Sequence, residues 1–283
     1  MAPLKLNGLD HIVRVVPDLA PASEALARLG IVATPPGPVG ASGALNTCFQ
    51  VGPAETAVTV EFLSLAPDRM GDPGNARMAR LIGEGGGMSF LGFDADDLAP
   101  ARAAFADGGF DEQALLQPGE VQPIRWLRPA QTGLGCDVVI LQHPPGSRTA
   151  GAGAHELPLL RVDHVAVVTY DLETVSRRWT DLMGAERTFA GQAFGVDIHK
   201  VRIGDAEIEL LTPGATGGLA GAAAGLRPTV SFEVPNLEAV MADVRARGFK
   251  VAEPTHSPLG DRKFTTIAPR QTAGLVFQFL QRL

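Results

Sequence analysis

The chain of 283 residues is predicted to be α+β, with four strand–helix–three-strand (βαβββ) units arranged as two domains. Three observations carry this prediction. The stretch Leu9–Leu19, LDHIVRVVPDL, returns as Val162–Leu172, VDHVAVVTYDL, and a long-range repeat of this kind marks a duplicated unit. The helical stretches Leu98–Phe110 and Leu237–Phe249 keep the same length between a cap-adjacent Leu and a Phe that follows a Gly. The turns PAQTGLG at 129–135 and PRQTAGL at 269–275 echo one another before the last strand of each half. Units one and three are therefore one related pair, and units two and four another.

The first unit opens on an apolar strand at 9–16, where alternation of side chains sends Asp10 and His11 to opposite faces. Asp18 caps a helix through Ala20–Leu29, with Pro21 tolerated in its first turn and Gly30 as its stop. Strands are expected near 31–33, 46–51 and 57–65, with a Pro- and Gly-rich stretch at 35–43 between the first two. Residues 66–87 read as a connector holding a short helix, NARMARLI. The second unit has a strand at 88–93, a cap at Asp97, a stop at Gly109, and strands at 124–127 and 137–142.

Residues 144–158, rich in small residues, Pro and Gly, read as a linker, which places the domains at 7–143 and 159–283. In the third unit Asp171 caps a helix through Trp179, Gly184 stops it, and strands follow at 197–203 and 207–211. The Gly- and Ala-rich stretch 212–227 leads to the fourth unit. That unit has a strand at 229–234, Asn236 as cap, Gly248 as stop and a closing strand at 274–280.

Composition bounds the function. A content of 45% hydrophobic and 19% charged residues is that of a globular protein. A net charge of -7 without a basic stripe argues against nucleic acid or anionic membrane as the main partner, so a small molecule is expected. No stretch has the length of a membrane span, and a cytoplasmic setting is expected by default. Cys48 and Cys136 have no metal-binding or disulfide pattern and read as small buried hydrophobes.

Tandem units opened by (L/V)DH(I/V)xxVxxDL and closed by strands such as VTVEFLSLAP and AEIELLTP resemble the vicinal oxygen chelate superfamily, the glyoxalase, bleomycin-resistance and extradiol dioxygenase group. The resemblance spans nearly the whole chain. It implies two glyoxalase-like domains, each a curved mixed sheet around a cavity with helices outside. It also implies one divalent metal, Zn, Mn, Fe or Ni, held by residues of the first and last strands of the units. Carried onto this sequence, the first-strand positions are His11, Phe90, His164 and Thr229, and the last-strand positions are Glu61, Val139, Glu209 and Gln278.

Two unit pairings are open. Neighbouring units would assemble His164, Glu209, Thr229 and Gln278, whereas first-with-fourth pairing would assemble His11, Glu61, Thr229 and Gln278. In either arrangement Glu209 or Glu61 is the candidate proton carrier of a lyase, isomerase or epimerase acting on a small oxygenated metabolite. The extradiol reaction fits less well, since Thr229 stands where a second His ligand is needed. Thr229, Arg270 and Arg125 are candidates for substrate contacts; Arg128 and Arg262 cluster with these two arginines before the final strands of units two and four, and solvated loop arginines are the alternative reading for all four. His199 is expected to face solvent beside Lys200 and Arg202, and His143, His155 and His256 receive no role. The alternative function is a metal-free ligand-binding protein, disfavoured by an aromatic content of only 6%. Four units close both cavities within one chain, so a monomer suffices and a homodimer is compatible.

Overall fold

The computed structural model describes residues 4–39, 43–107, 109, 112–113, 125–129, 132–144, 154–193, 195–214, 223–257 and 260–283, with backbone only at 112–113 and 125–129. In the first half the strands are β1 (Gly8–Val15), β2 (Gly37–Val39), β3 (Ala44–Val51), β4 (Val58–Leu65), β5 (Gly87–Asp94), β6 (Glu112–Gln113), β7 (Arg125–Pro129) and β8 (Val138–Gln142). Its helices are α1 (Ala20–Arg28), α2 (Ala76–Gly83) and α3 (Leu98–Asp107). The second half has β9 (Arg161–Val168), β10 (Glu186–Ala193), β11 (Val196–Ile203), β12 (Ala206–Leu211), β13 (Gly225–Glu233), β14 (Thr255–His256), β15 (Arg262–Ile267) and β16 (Val276–Arg282), with helices α4 (Leu172–Asp181) and α5 (Leu237–Ala246).

Each half forms one eight-stranded mixed sheet, ordered β2-β3-β4-β1-β5-β8-β7-β6 and β10-β11-β12-β9-β13-β16-β15-β14. Neighbouring units thus share a sheet, joined through the antiparallel pairs β1–β5 and β9–β13. This selects the first of the two pairings left open by the sequence.

The predicted punctuation is met. Gly30, Gly109, Gly184 and Gly248 all adopt positive φ, between 69° and 84°, which a side chain disfavours and which ends each helix. Asp171 and Asn236 accept from the backbone N–H of Thr174 and Ala239 as N-caps. Asp18 and Asp97 instead accept from Ala20 and Ala99, two residues on. The strand expected at 31–33 is absent. Pro35 and Pro36 carry no N–H for a ladder, so pairing starts at Gly37 and Thr34 makes a single backbone bond to Cys48. Conversely, β10 and β15 form where the sequence showed no strand pattern.

One continuous core holds the helix-bearing faces of both sheets. Across it unit one meets unit four and unit two meets unit three. Phe49 stacks on Phe277 at 6.1 Å, while Trp179 packs edge-on against Phe93 at 5.6 Å and donates to the Leu134 carbonyl. The opposite, concave faces differ. In the first domain Val13, Leu63 and Phe90 pack against Leu81, Met78 and Ile82 of α2, the helix of the connector. In the second domain the corresponding face carries a cavity.

Candidate functional site

Alternation along β9 buries Asp163 on the helix side and turns His164 to the concave side. Asp163 Oδ1 lies 2.8 Å from His164 Nδ1 and accepts from Arg262 at 2.8 Å, and Oδ2 accepts from Arg282 at 2.6 Å. Burial alone would raise the Asp163 pKa. The hydrogen bond from His164 and the guanidinium groups of Arg262 and Arg282 outweigh it and hold the carboxyl well below the usual range. With Nδ1–H donating to Asp163, the other ring nitrogen, Nε2, is aimed at the cavity side.

Around Nε2 the sheet register assembles the remaining groups. His164 pairs with Ser231 across β9–β13, and Ser231 with Gln278 across β13–β16. Ser231 Oγ is 2.8 Å from His164 Nε2 and bonds the Gln278 side chain. Glu209 Oε2 is 3.6 Å from the same nitrogen. Lys200, the cross-strand partner of Glu209, places Nζ 2.8 Å from Glu209 Oε1 and 3.8 Å from Glu207 Oε2. Burial raises the Glu209 pKa, but His164, Lys200 and Arg262 together lower it further than burial raises it, so the carboxylate stays ionised. These groups border about 420 Å³ of empty space, part of it open to solvent, whose polar wall is His164, Lys200, Glu209, Ser257, Arg262 and Gln278.

The structure therefore brings His164, Glu209 and Gln278 together, as neighbouring-unit pairing required. Thr229 lies two residues before Ser231 on β13, half-buried, and Ser231 takes the position opposite His164. Arg270 is exposed in the turn at Pro269–Gln271 and does not border the cavity. Arg125 falls on β7, with its side chain outside the described residues. Lys200 is buried in the cavity wall, and His199, expected to face solvent, is only 13% exposed on the other face, where it approaches Glu173 at 3.9 Å. Lys200 and Ser231 are the site residues that sequence reasoning missed, whereas Arg262, one of the four loop arginines weighed there, reaches the cavity wall. The available signal was Lys200 lying one strand away from two carboxylates, Glu207 and Glu209.

The first domain keeps His11 and Glu61 but not their company. The same register places Gly92 opposite His11 and Val139 opposite Gly92, where the second domain has Ser231 and Gln278. A Cβ at Gly92 would lie 2.7 Å from Leu141 Cδ1 and 3.0 Å from His11 Cβ, so a side chain there requires Leu141 and His11 to shift. Cys48 stands opposite Glu61, where Lys200 stands opposite Glu209. Glu61 accepts from Asn46 at 2.6 Å, and His11 Nδ1 contacts Asp10.

Two tests bear on the expected divalent metal. In the cavity wall, Glu209 is the single carboxylate next to His164, and it already carries the Lys200 ammonium. Gln278 is neutral and bonded to Ser231, so the set does not fit a divalent ion as it stands. Elsewhere, Asp10, Asp94 and His143 are a trio among the described residues close enough to share an ion. Its register counterpart in the second domain is Asp163, Glu233 and Arg282, whose guanidinium bridges both carboxylates at 2.6 and 3.2 Å. The trio therefore reads as a clamp on strand ends. His143 acquires a structural role, as does His155, whose ring bonds Val32 N and Gln50 O at 3.1 and 2.7 Å.

Comparison with known proteins agrees with this architecture. A family model described as glyoxalase-like domain matches residues 9–158, and one described as the glyoxalase/bleomycin resistance protein/dioxygenase superfamily matches 163–266. Among solved structures, a mutant of 4-hydroxymandelate synthase from Streptomyces coelicolor aligns over 99% of this chain and 93% of its own, with TM-score 0.67 and 17% identity. An Mn(II)-bound glyoxalase from Novosphingobium aromaticivorans aligns over 98% and 82%, with TM-score 0.66 and 12% identity. BphC, a halotolerant catechol dioxygenase, aligns over 98% and 88%, with TM-score 0.66 and 12% identity. At these identities the likeness is one of fold. A comparison with curated protein sequences returns no match.

Proposed function

Since this chain belongs to the vicinal oxygen chelate superfamily, the glyoxalase, bleomycin-resistance and dioxygenase group, we propose that its second-domain cavity is an active site that moves a proton on a small metabolite with neighbouring oxygens. The reaction class is that of a lyase, isomerase or epimerase. One observation carries this reading: the ionised Glu209 carboxylate is held on the cavity wall between His164 Nε2 at 3.6 Å and Lys200 Nζ at 2.8 Å.

Glu209 takes the proton from a carbon next to a carbonyl, and the C–H electron pair moves through to the carbonyl oxygen. The ammonium of Lys200 and the guanidinium of Arg262, both buried, stabilise the resulting oxyanion. Return of the proton to the other face, or to the neighbouring carbon, completes the isomerisation and restores the carboxylate. Ser231 and Asp163 fix the His164 ring from both ends. Ser231 is itself fully buried, which favours an orienting role over a nucleophilic one. Ala193, Ile198, Phe264 and Leu280 provide the apolar part of the wall against the carbon skeleton.

The test is loss of the α-proton signal by NMR when α-hydroxy ketones and thioesters are incubated with the protein in deuterated water. One class should exchange, and Glu209→Gln should slow exchange by about 10²–10⁴-fold, the usual worth of a positioned acid–base group. Saturable binding without exchange of any such compound would contradict the reading and make the protein a ligand-binding one.

A further inference from the structure

We infer that Lys200 occupies the place of the catalytic cation in the second-domain site, so that this site works without a metal and presents an ammonium to the substrate's oxygens. The inference rests on reading that cavity as the working site. Register alone puts the group there: Lys200 is the direct partner of Glu209 across β11–β12, on the same face as Ile198 of the cavity wall.

An ammonium is buried only where partners offset its loss of hydration. Lys200 has a side-chain exposure of 7%, and its partners are Glu209 at 2.8 Å and Glu207 at 3.8 Å. Around it the carboxylates Asp163, Glu207, Glu209 and Asp261 are already matched by Lys200, Arg202, Arg262 and Arg282. A divalent ion at His164 and Glu209 would face that ammonium at close range with no further anion to offset it. The other nearby donors suit a metal poorly, because the Ser231 hydroxyl and the Gln278 amide are neutral and bonded to each other.

The chemistry of the ammonium supports the same role. It has three N–H donors. Glu209 takes one at 2.8 Å, while Glu207, at 3.8 Å, is beyond hydrogen-bond reach. Donors therefore remain for one or two substrate oxygens, which is the task a Lewis acid performs elsewhere. In the first domain Cys48 stands at the corresponding register, and no cation replaces it there.

The experiment compares metal content by mass spectrometry and calorimetric titration with Mn²⁺ and Zn²⁺ for the full chain, Lys200→Met, Lys200→Gln and the double variant Lys200→Met/His164→Ala. The wild type should take up no metal that depends on His164. Removing the ammonium leaves Glu209 without its hydrogen-bonded cation, while Glu207 keeps Arg202 at 3.1 Å, so either Lys200 variant should gain metal binding by at least tenfold, and the double variant should lose it again. A wild-type ion near one per chain that disappears in His164→Ala overturns the inference, as does a folded Lys200 variant that gains nothing. The wild-type measurement needs no variant of Lys200 to fold. Its failure would leave proton transfer by Glu209 intact as a metal-assisted reaction, whereas absence of α-proton exchange would remove the functional reading itself.

Discussion

Asp10 Oδ2 and His143 Nε2, at opposite ends of the first domain's chain, lie 2.8 Å apart, and the same place in the second domain is taken by Asp163 and Arg282 at 2.6 Å. Duplication has kept a buried carboxylate at the start of each central strand and changed the side chain that clamps it. The clamp ties the first strand of each domain to its last, and its twin in the second domain also orients His164.

Both carboxylates make the fold acid-sensitive. Burial raises each pKa, and the opposing contributions of His11 and His143 for Asp10, or of His164, Arg262 and Arg282 for Asp163, bring both well below the ordinary value. A folded pKa below the unfolded value of about 4 contributes stability that is complete above that value and is lost as pH falls through and below it. The melting temperature should hold down to about pH 5 and fall steeply below about pH 4. Asp10→Asn and Asp163→Asn should flatten that fall. A wild-type melting temperature that does not change across this range would contradict the assignment.

Arg262 is the more buried of the two arginines bonded to Asp163, and removing it takes one cation from a carboxylate with no exposure to water, leaving it Arg282 and His164. Arg262→Met should cost about 3–5 kcal/mol in denaturant unfolding, the usual effect of breaking a buried pair. Asp163→Asn combined with Arg262→Met should cost less than the sum of the single changes. Additive losses would show that the two side chains are not coupled.

Much of this was legible because the repeat carries its own controls. The Asp-His pairs, the stop glycines and the matched Glu61 and Glu209 all recur at equivalent places, and recurrence fixed the units and their strand faces. Edge elements were not legible. β10, ERTFAGQA, is largely exposed and polar, so no burial pattern marks it, and its pairing comes from β11. Lys200 was hidden for the opposite reason. A lysine on a strand ordinarily faces water, and only the register β11–β12, which no local pattern encodes, turns it toward Glu209. The Ser231 position was concealed by the register shift between Leu226 and Val230 on β13.

The first domain should answer to packing and not to chemistry. Leu81 of α2 is 9% exposed against the concave face where a cavity would otherwise form. Leu81→Ala should destabilise the chain by about 2–5 kcal/mol, as for other buried leucines. Ligand binding in the second domain should be unaffected while the chain is folded. A weakened second-domain site in the folded variant would show that α2 acts beyond its own domain.

The most direct measurement is α-proton exchange in the paired variants Glu61→Gln and Glu209→Gln, with His11→Ala and His164→Ala beside them. The second-domain changes should remove exchange by about 10²–10⁴-fold, while the first-domain changes leave it at the wild-type rate in protein of unchanged circular dichroism. Loss of exchange in Glu61→Gln or His11→Ala, with Glu209→Gln still active, would contradict the account and move the working site to the first domain.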